Sequence, residues 1–346
     1  MQKISIVGLL MLYGALAGAE PIPLIDTHAH FQSGPSPNFE ASRQAALANM
    51  DRVRIAKSLL LPPPNTDSNK KSFYDIEELK FAAKADPNRF ALIGGSSLNA
   101  MVHDIAPKDV TDSVRAKFRQ RALDIIAQGA VAFGEIAVLH VSIPAMGPQH
   151  PYESVPADHP LLLLLADIAA ELDVPIDLHC DLVPEDMPLP DQLRANPANP
   201  SQLQANLPGL ERLFSHNEKT RFVWAHVGFE PLLTRDIPVV QHMLQSHPNL
   251  YMSFRLNRGA PKPAATIDAD GEIKPQWDDL IQEFSDRFVL GSDAFYQGGG
   301  IARGSSDTGL DNLRKLVDQL PPDVGNKIAS GNAIRIYRLN AAATPR

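Results

Sequence analysis

Short apolar runs alternate with longer helical patterns along most of the chain, and no other feature of the sequence constrains the fold so strongly. The runs are PLID, AKSLLLP, FALIGG, AVAFGEI, VPIDLH, RFVWAH, LYMSF and RFVLGSD, and the helices that follow them are predicted near 38–54, 74–85, 111–128, 160–172, 201–215, 234–246, 275–284 and 308–319. Strands that alternate with helices favour a parallel sheet covered by helices. Eight such units predict a (β/α)8 barrel, with a doubly wound open sheet as the alternative.

Five of the apolar runs end in side chains that can bind a metal ion. The first run ends in His28 and His30, and a spacing of two places both side chains on the same face of a strand. The other four runs end in Glu135, His179, His226 and Asp293. In a parallel barrel the carboxyl ends of all strands share one rim, where barrel active sites lie. We therefore expect these six residues to meet in one pocket, and imidazole with carboxylate suits Zn²⁺ or a similar ion.

The full set of run ends resembles the amidohydrolase superfamily. That superfamily has a (β/α)8 barrel with HxH on strand 1, a bridging Lys or Glu on strand 4, His on strands 5 and 6 and Asp on strand 8. FGEI around Glu135 is similar to the TatD-like branch, in which Glu takes the bridging position. LGSDAF and the terminal SGNAIRIYRL are more similar to the second amidohydrolase family, which includes decarboxylases.

The resemblance implies roles for the six residues. His28, His30 and Asp293 would hold one divalent metal, His179 and His226 would hold a second, and Glu135 would bridge them. Zn²⁺ is the expected metal, with two ions favoured and one as the alternative. Such ions lower the pKa of water, and Asp293, the predicted catalytic residue, would take the proton of the attacking water and pass it to the leaving group.

These roles predict a hydrolase that cleaves an ester, lactone, amide or phosphoester bond of a small-molecule substrate. The first alternative is a mononuclear decarboxylase, in which one metal suffices and the strand-6 histidine, His226, acts in catalysis. The second alternative is a non-catalytic periplasmic binding protein on the same barrel, since a fold alone does not secure an activity.

Other polar residues near the run ends have more than one interpretation. Arg255, at the end of the seventh run, is predicted to clamp an anionic substrate, with an ion pair as the alternative. Asp26 precedes the HxH and is expected to orient one of its histidines. Cys180 follows His179, so strand alternation is expected to turn it toward the helices as a packing residue, with a catalytic nucleophile as the alternative. His140 is predicted to lie on a loop surface, with a position in the pocket as the alternative.

The first residues have the pattern of a signal peptide. Lys3 precedes an apolar stretch, 4–16, and Ala17-Gly18-Ala19 is a small-residue cleavage site. We expect residues 1–19 to be removed, leaving 20–346 as a single barrel domain that is periplasmic or secreted. An uncleaved anchor is the alternative.

Charge and cysteine count limit the classes of binding partner and the covalent links that the chain can have. The formal net charge of −8 and the absence of a long basic run argue against nucleic acid and anionic membranes as partners. A single cysteine excludes an internal disulfide, and a homo-oligomer is compatible with the sequence. The Pro-rich segments 62–64 and 183–199 are predicted to be loops over the site, and residues 327–339 to be a closing helix.

Overall fold

Eight parallel strands form a closed barrel in the computed structural model, which describes residues 22–32, 37–147, 150–256, 264–302 and 307–339. The barrel strands are β1 Leu24–Phe31, β2 Ile55–Leu60, β3 Phe90–Gly94, β4 Ala130–His140, β5 Ile176–Cys180, β6 Phe222–Val227, β7 Leu250–Phe254 and β8 Phe288–Leu290. Each pairs in parallel with the next, and β8 pairs back with β1 through Asp26 and Leu290. The predicted (β/α)8 barrel is confirmed, and the open sheet is wrong.

Helices lie between the strands in the order that the sequence predicts. They are α1 Phe39–Val53, α2 Ile76–Ala85, α3 Ser96–Asp104, α4 Asp112–Ala127, α5 Pro160–Leu172, α6 Leu207–His216, α7 Ile237–Ser246, α8 Pro275–Glu283, α9 Asp307–Gln319, α10 Pro322–Asn326 and α11 Asn332–Ile336. The sequence pattern missed α3, and it started α6 and α7 too early. Both of these helices have proline in their first turn, where its fixed φ suits a helix start and its missing N–H leaves no bond unmade.

The last helical segment closes one end of the barrel. A π-helical turn, Lys327–Gly331, leads into α11, and Ile336 and Tyr337 are buried in a cluster with Ile25 and Val289 of the barrel strands. A second, larger apolar cluster lies between the strands and the outer helices. With the amino-terminal end filled by apolar side chains, the carboxyl-terminal rim is the end left for polar chemistry.

The predicted signal peptide, residues 1–19, lies outside the described residues. Within those residues, no helix has the length and apolar character that crossing a membrane would require.

Candidate metal centre

Four donor atoms from β1, β4 and the end of β8 converge at the carboxyl-terminal rim. The Nε2 atoms of His28 and His30 lie 3.1 Å apart. Glu135 Oε2 lies 3.5 Å from the first and 3.6 Å from the second. Asp293 Oδ1 lies 3.2 Å from His30 Nε2 and 3.8 Å from His28 Nε2. The first predicted ligand group is therefore assembled in space.

The outer ring nitrogens of the two histidines determine what the inner nitrogens can do. His30 Nδ1 lies 2.9 Å from the carbonyl oxygen of Leu61, which can only accept, so Nδ1 carries the proton. His28 Nδ1 lies 3.2 Å from both carboxylate oxygens of Asp177. In the neutral rings both Nε2 atoms then present lone pairs to the same space, next to two carboxylates. Such a donor set fits a divalent metal with its histidines oriented from behind.

A second group lies on the other side of Glu135. Glu135 Oε1 lies 2.8 Å from His179 Nδ1 and 3.1 Å from His226 Nε2. Each oxygen of this carboxylate therefore faces a different pair of histidines. All six predicted ligands are brought together, and Glu135 occupies the position of a shared ligand between two groups of potential ligands.

Unusual backbone conformations aim two of these side chains inward. His226 has φ of +67° and Asp293 has φ of +52°. The left-handed region costs a non-glycine residue about 1–2 kcal/mol, and such strain is typical of functional sites. Hydrogen bonds hold both positions, since Arg235 Nη2 donates to the His226 carbonyl at 2.9 Å and the Asp293 amide donates to the His28 carbonyl at 2.8 Å.

Close packing behind the first group requires a glycine. A Cβ on Gly291 would lie 2.9 Å from His28 Cβ and would also collide with the hydroxyl of Ser253. The absence of a side chain at this position allows β8 to approach the first histidine pair.

The charges of the site are mutually dependent. Burial alone would raise the pKa of Glu135, but His28, His179 and His226 outweigh burial and hold that pKa well below its ordinary value. Burial would lower the pKa of His179, whereas Asp181 and Glu135 raise it to about 10. Burial lowers the pKa of His226 to about 3. Glu135 is thus ionised and attracts positive charge, which a bound cation would also supply.

Asp293 has a second strong partner in Arg255. Arg255 Nη1 lies 2.6 Å from Asp293 Oδ2, and its guanidinium lies 4.1 Å above the ring of Phe229. Burial would raise the pKa of Asp293, but Arg255, with His226 and His30, holds it well below its ordinary value. Arg255 therefore makes the ion pair that the sequence left as the alternative, and the pair is buried beside the predicted ligands. A role in substrate binding stays a prediction.

Two expectations about neighbouring residues need correction. Asp26 does not contact a ring nitrogen; it accepts from the His28 amide at 3.2 Å and from the Ser292 amide at 2.8 Å, so it holds the backbone beside the ligands. His140 does not lie on a loop surface. It ends β4, lines the pocket, and its ring centroid is 4.8 Å from that of His179. The strand continues past Glu135 because it pairs with the short strand Glu153–Ser154, which local sequence does not reveal.

Sequence reasoning missed several residues near the site. Asp177 lies two positions before His179 on β5, and the same strand alternation that identified the HxH could have found it. Asp181 Oδ2 lies 3.8 Å from His179 Nε2. Glu153 lines the pocket, and burial raises its pKa to about 7 although Thr66 Oγ1 donates to it. Cys180, as expected, is buried in the cluster between strands and helices.

A cavity of about 1030 Å³ opens above the two groups. The two predicted Pro-rich loops contribute to its wall, through Pro63 and Pro64 from one loop and through Gln192 and Leu193 from the other. The loops therefore lie over the site, as the sequence predicts.

Comparison with known proteins agrees with this architecture. A family model described as amidohydrolase matches residues 25–339, and no curated protein matches the chain. A solved structure of 5-carboxyvanillate decarboxylase from Sphingomonas paucimobilis is similar with a TM-score of 0.54 and 14% identity, over 92% of this chain and 100% of that one. A structure of 5-carboxyvanillate decarboxylase from Novosphingobium aromaticivorans DSM 12444, complexed with manganese, is similar with a TM-score of 0.52 and 15% identity, over 92% of this chain and 96% of that one.

A hydrolase shows a comparable likeness. β-Aspartyl dipeptidase from Fervidobacterium islandicum AW-1, in complex with a β-Asp-Leu dipeptide, is similar with a TM-score of 0.53 and 15% identity, over 94% of this chain and 77% of that one. At such identities the similarity shows the shared barrel and leaves the reaction open.

Proposed function

The chain belongs to the amidohydrolase family, and on that premise we propose that it is a hydrolase with two divalent metals that cleaves an ester, lactone, amide or phosphoester bond. One observation carries the proposal: the two oxygens of Glu135 face different histidine pairs, 3.5 and 3.6 Å away on one side and 2.8 and 3.1 Å away on the other. A mononuclear site has no need of a carboxylate shared in this way.

The ligand groups follow from the contacts. His28, His30 and Asp293 would hold one ion, His179 and His226 the other, and Glu135 both; Zn²⁺ is the ion we propose. When bound, such ions lower the pKa of water toward 7 and polarise a carbonyl or phosphoryl oxygen.

Asp293 is the residue that we propose to move the proton. Arg255 keeps its carboxylate ionised and holds Oδ2, while Oδ1 faces the first histidine pair. An ionised carboxylate next to the attacking water can accept a proton, and its low pKa favours passing that proton on to the leaving group. Arg255 is thereby a positioning residue for Asp293.

A mononuclear decarboxylase of an aromatic acid is the second candidate. Arg255 favours it, because a guanidinium beside the site suits a carboxylate substrate, and Arg255 Nε has no hydrogen-bond partner among the described residues. Two of the similar barrels are decarboxylases of such acids. In this candidate His226 would act on the substrate.

Metal stoichiometry separates the candidates. Protein purified without chelator and loaded with Zn²⁺ or Mn²⁺ is expected to hold close to two ions per chain by elemental analysis. Glu135→Gln is expected to hold one or fewer, while Glu153→Gln, in the same pocket but outside both groups, keeps two. A wild-type protein that saturates at one ion contradicts the proposal and favours the lyase.

Activity assays complete the test. The loaded protein is incubated with a panel of esters, lactones, amides and phosphoesters, and in parallel with aromatic acids whose CO₂ release is measured. Turnover in the first panel supports the hydrolase and turnover only in the second supports the lyase. A fully loaded protein that turns over neither panel would indicate the third hypothesis, a binding protein on this barrel.

Export and the likeness to the TatD-like branch remain predictions. We propose a periplasmic or secreted protein, and the sequencing of protein recovered from the periplasm or medium is expected to begin at Glu20. Protein found only in the cytoplasm, with residues 1–19 retained, would contradict export.

A further inference from the structure

Two large apolar side chains stand out at the cavity above the metal centre. In the part of the chain that the structure describes, Met146 and Leu233 are the large hydrophobic residues that remain exposed, at 39% and 38%. Both line this cavity. Met146 ends the turn Pro144–Met146 after β4, and Leu233 lies between β6 and α7. Exposed apolar surface gathered at one cavity from two separate segments indicates a site for an apolar group.

The backbone of Leu233 strengthens this indication. Its φ is +64°, a left-handed conformation that a leucine rarely adopts because Cβ crowds the carbonyl oxygen. Leucine has no polar side chain to compensate by a local hydrogen bond. The position therefore combines backbone strain with an exposed apolar side chain, and neither feature stabilises the fold.

Other apolar side chains that line this cavity lie at the metal centre. Phe295 stacks on His30 with ring centroids 4.3 Å apart, and Phe229 lies against the Arg255 guanidinium beside Asp293. Val141, Ile143 and Leu193 also line the cavity. The aromatic rings at the centre and the exposed pair thus line the same cavity.

The size of the cavity exceeds what the scissile group needs. Its volume of about 1030 Å³ lies at the upper end of the roughly 300–1,000 Å³ common for ligand pockets. A group that spans from the ligands to the exposed pair would fill this space and cover both exposed side chains.

We propose that the substrate carries a long apolar arm, an alkyl or acyl chain, which lies along this wall with its far end between Met146 and Leu233. The proposal rests on the proposed function, because it places the scissile bond at the metal centre. Burying one methylene changes an equilibrium or a rate constant by about threefold to fourfold, so chain length gives a direct readout.

The experiment compares p-nitrophenyl esters from acetate to decanoate on the metal-loaded protein. The value of kcat/KM is expected to rise at least tenfold from acetate to octanoate. Met146→Gln with Leu233→Asn keeps the side-chain sizes, and Asn tolerates the left-handed backbone. This double variant is expected to lose most of the rise while its activity on acetate stays within about twofold. Leu163→Ser, a half-buried leucine on α5 outside the cavity wall, is the control and keeps the rise.

A second measurement separates failure of this proposal from failure of the proposed function. Binding of butyrate, octanoate and decanoate is measured by calorimetry, which needs no turnover. If no ester is cleaved but affinity rises with chain length in the wild type and not in the double variant, the site for an apolar arm is supported and the proposed hydrolase activity is contradicted. If esters are cleaved with no dependence on chain length, or if the double variant keeps the full dependence, the proposal is overturned.

Light scattering tests the other occupant of this surface. If wild-type protein is a dimer and the double variant a monomer with unchanged chain-length dependence, the exposed pair is an interface between two copies and the proposal is overturned. An unchanged mass in both proteins is the expected result.

Discussion

Asp177→Asn tests whether a residue outside the ligand set controls one metal position alone. Asp177 is fully buried on β5, and both of its oxygens lie 3.2 Å from His28 Nδ1. Asparagine has nearly the same volume and can still accept from that nitrogen, but it lacks the charge. The substitution therefore changes the electronic support of one predicted ligand and leaves its position almost unchanged.

The expected magnitude follows from the kind of bond that is lost. A hydrogen bond to an ionised acceptor is about twice as strong as a neutral one, and removing such support behind a metal-bound histidine weakens metal binding about 10–100-fold. That range corresponds to about 1.4–2.7 kcal/mol. Among the described residues, no hydrogen bond or ion pair joins Asp177 to His179 or His226, so the affinity of the second group is expected to change by less than about threefold.

The metal-free protein is expected to change little. Burial raises the pKa of Asp177, although His28 opposes it. A folded pKa above the unfolded value means that ionisation near neutral pH costs stability, and asparagine removes this cost. The substitution also deprives His28 of its partner, which acts in the opposite direction. The free energy of unfolding without metal should therefore stay within about 1 kcal/mol of the wild-type value.

The assay is a Zn²⁺ titration in competition with a chromophoric chelator, which resolves the two dissociation constants. Asp181→Asn is the matched control, because Asp181 lies near His179 of the second group and does not reach the first. A first-site affinity that is unchanged in Asp177→Asn, or an equal weakening of both sites, would refute the reasoning.

Three further substitutions test the fold and the pocket. Burial raises the pKa of Glu153 to about 7, so its contribution should lower the free energy of unfolding of the wild type by roughly 3 kcal/mol as pH rises from 4.5 through 7. Urea denaturation at pH 5 and pH 8 should show a smaller decrease in Glu153→Gln than in the wild type. An equal decrease in both proteins would be inconsistent with a buried acid at this position. Tyr337→Ala removes the ring that fills the amino-terminal end of the barrel and should lower the free energy of unfolding by about 3–5 kcal/mol, measured by denaturant unfolding. A loss below about 1 kcal/mol would show that this end is not part of the core. Gly291→Ala places a methyl group 2.9 Å from His28 Cβ, so it should lower the free energy of unfolding by about 1–3 kcal/mol and weaken metal binding at the first site. An unchanged free energy of unfolding would mean that the backbone after β8 shifts to accommodate the methyl group.

Local pattern was sufficient to predict the barrel strands. Each of the eight apolar runs contributes a strand, because an apolar run bounded by turn residues is short enough to exclude most helices. The helix starts were less accurate, since α6 begins at Leu207 and α7 at Ile237. The helix α3 was missed because it spans only nine residues and its N-cap, Gly95, has no side chain to mark the helix start.

The candidate ligands were also accessible from the sequence, for a geometric reason. Parallel strands share one carboxyl-terminal rim, so residues at run ends converge whatever their separation along the chain. The supporting residues were harder to find. Asp177 stands inside an apolar run, and Leu61 acts through its backbone carbonyl, which no side-chain pattern can indicate.

The sequence by itself determined the order of strands and helices, the barrel class and the six side chains that meet at its rim, because these depend on residue periodicity and on short-range backbone preferences. Only the tertiary structure decided that each oxygen of Glu135 faces its own histidine pair, that Arg255 holds Asp293, and that Met146 and Leu233 remain uncovered beside the site. Those features depend on distances between residues far apart in the chain and on the burial of single atoms, which are set when the barrel closes.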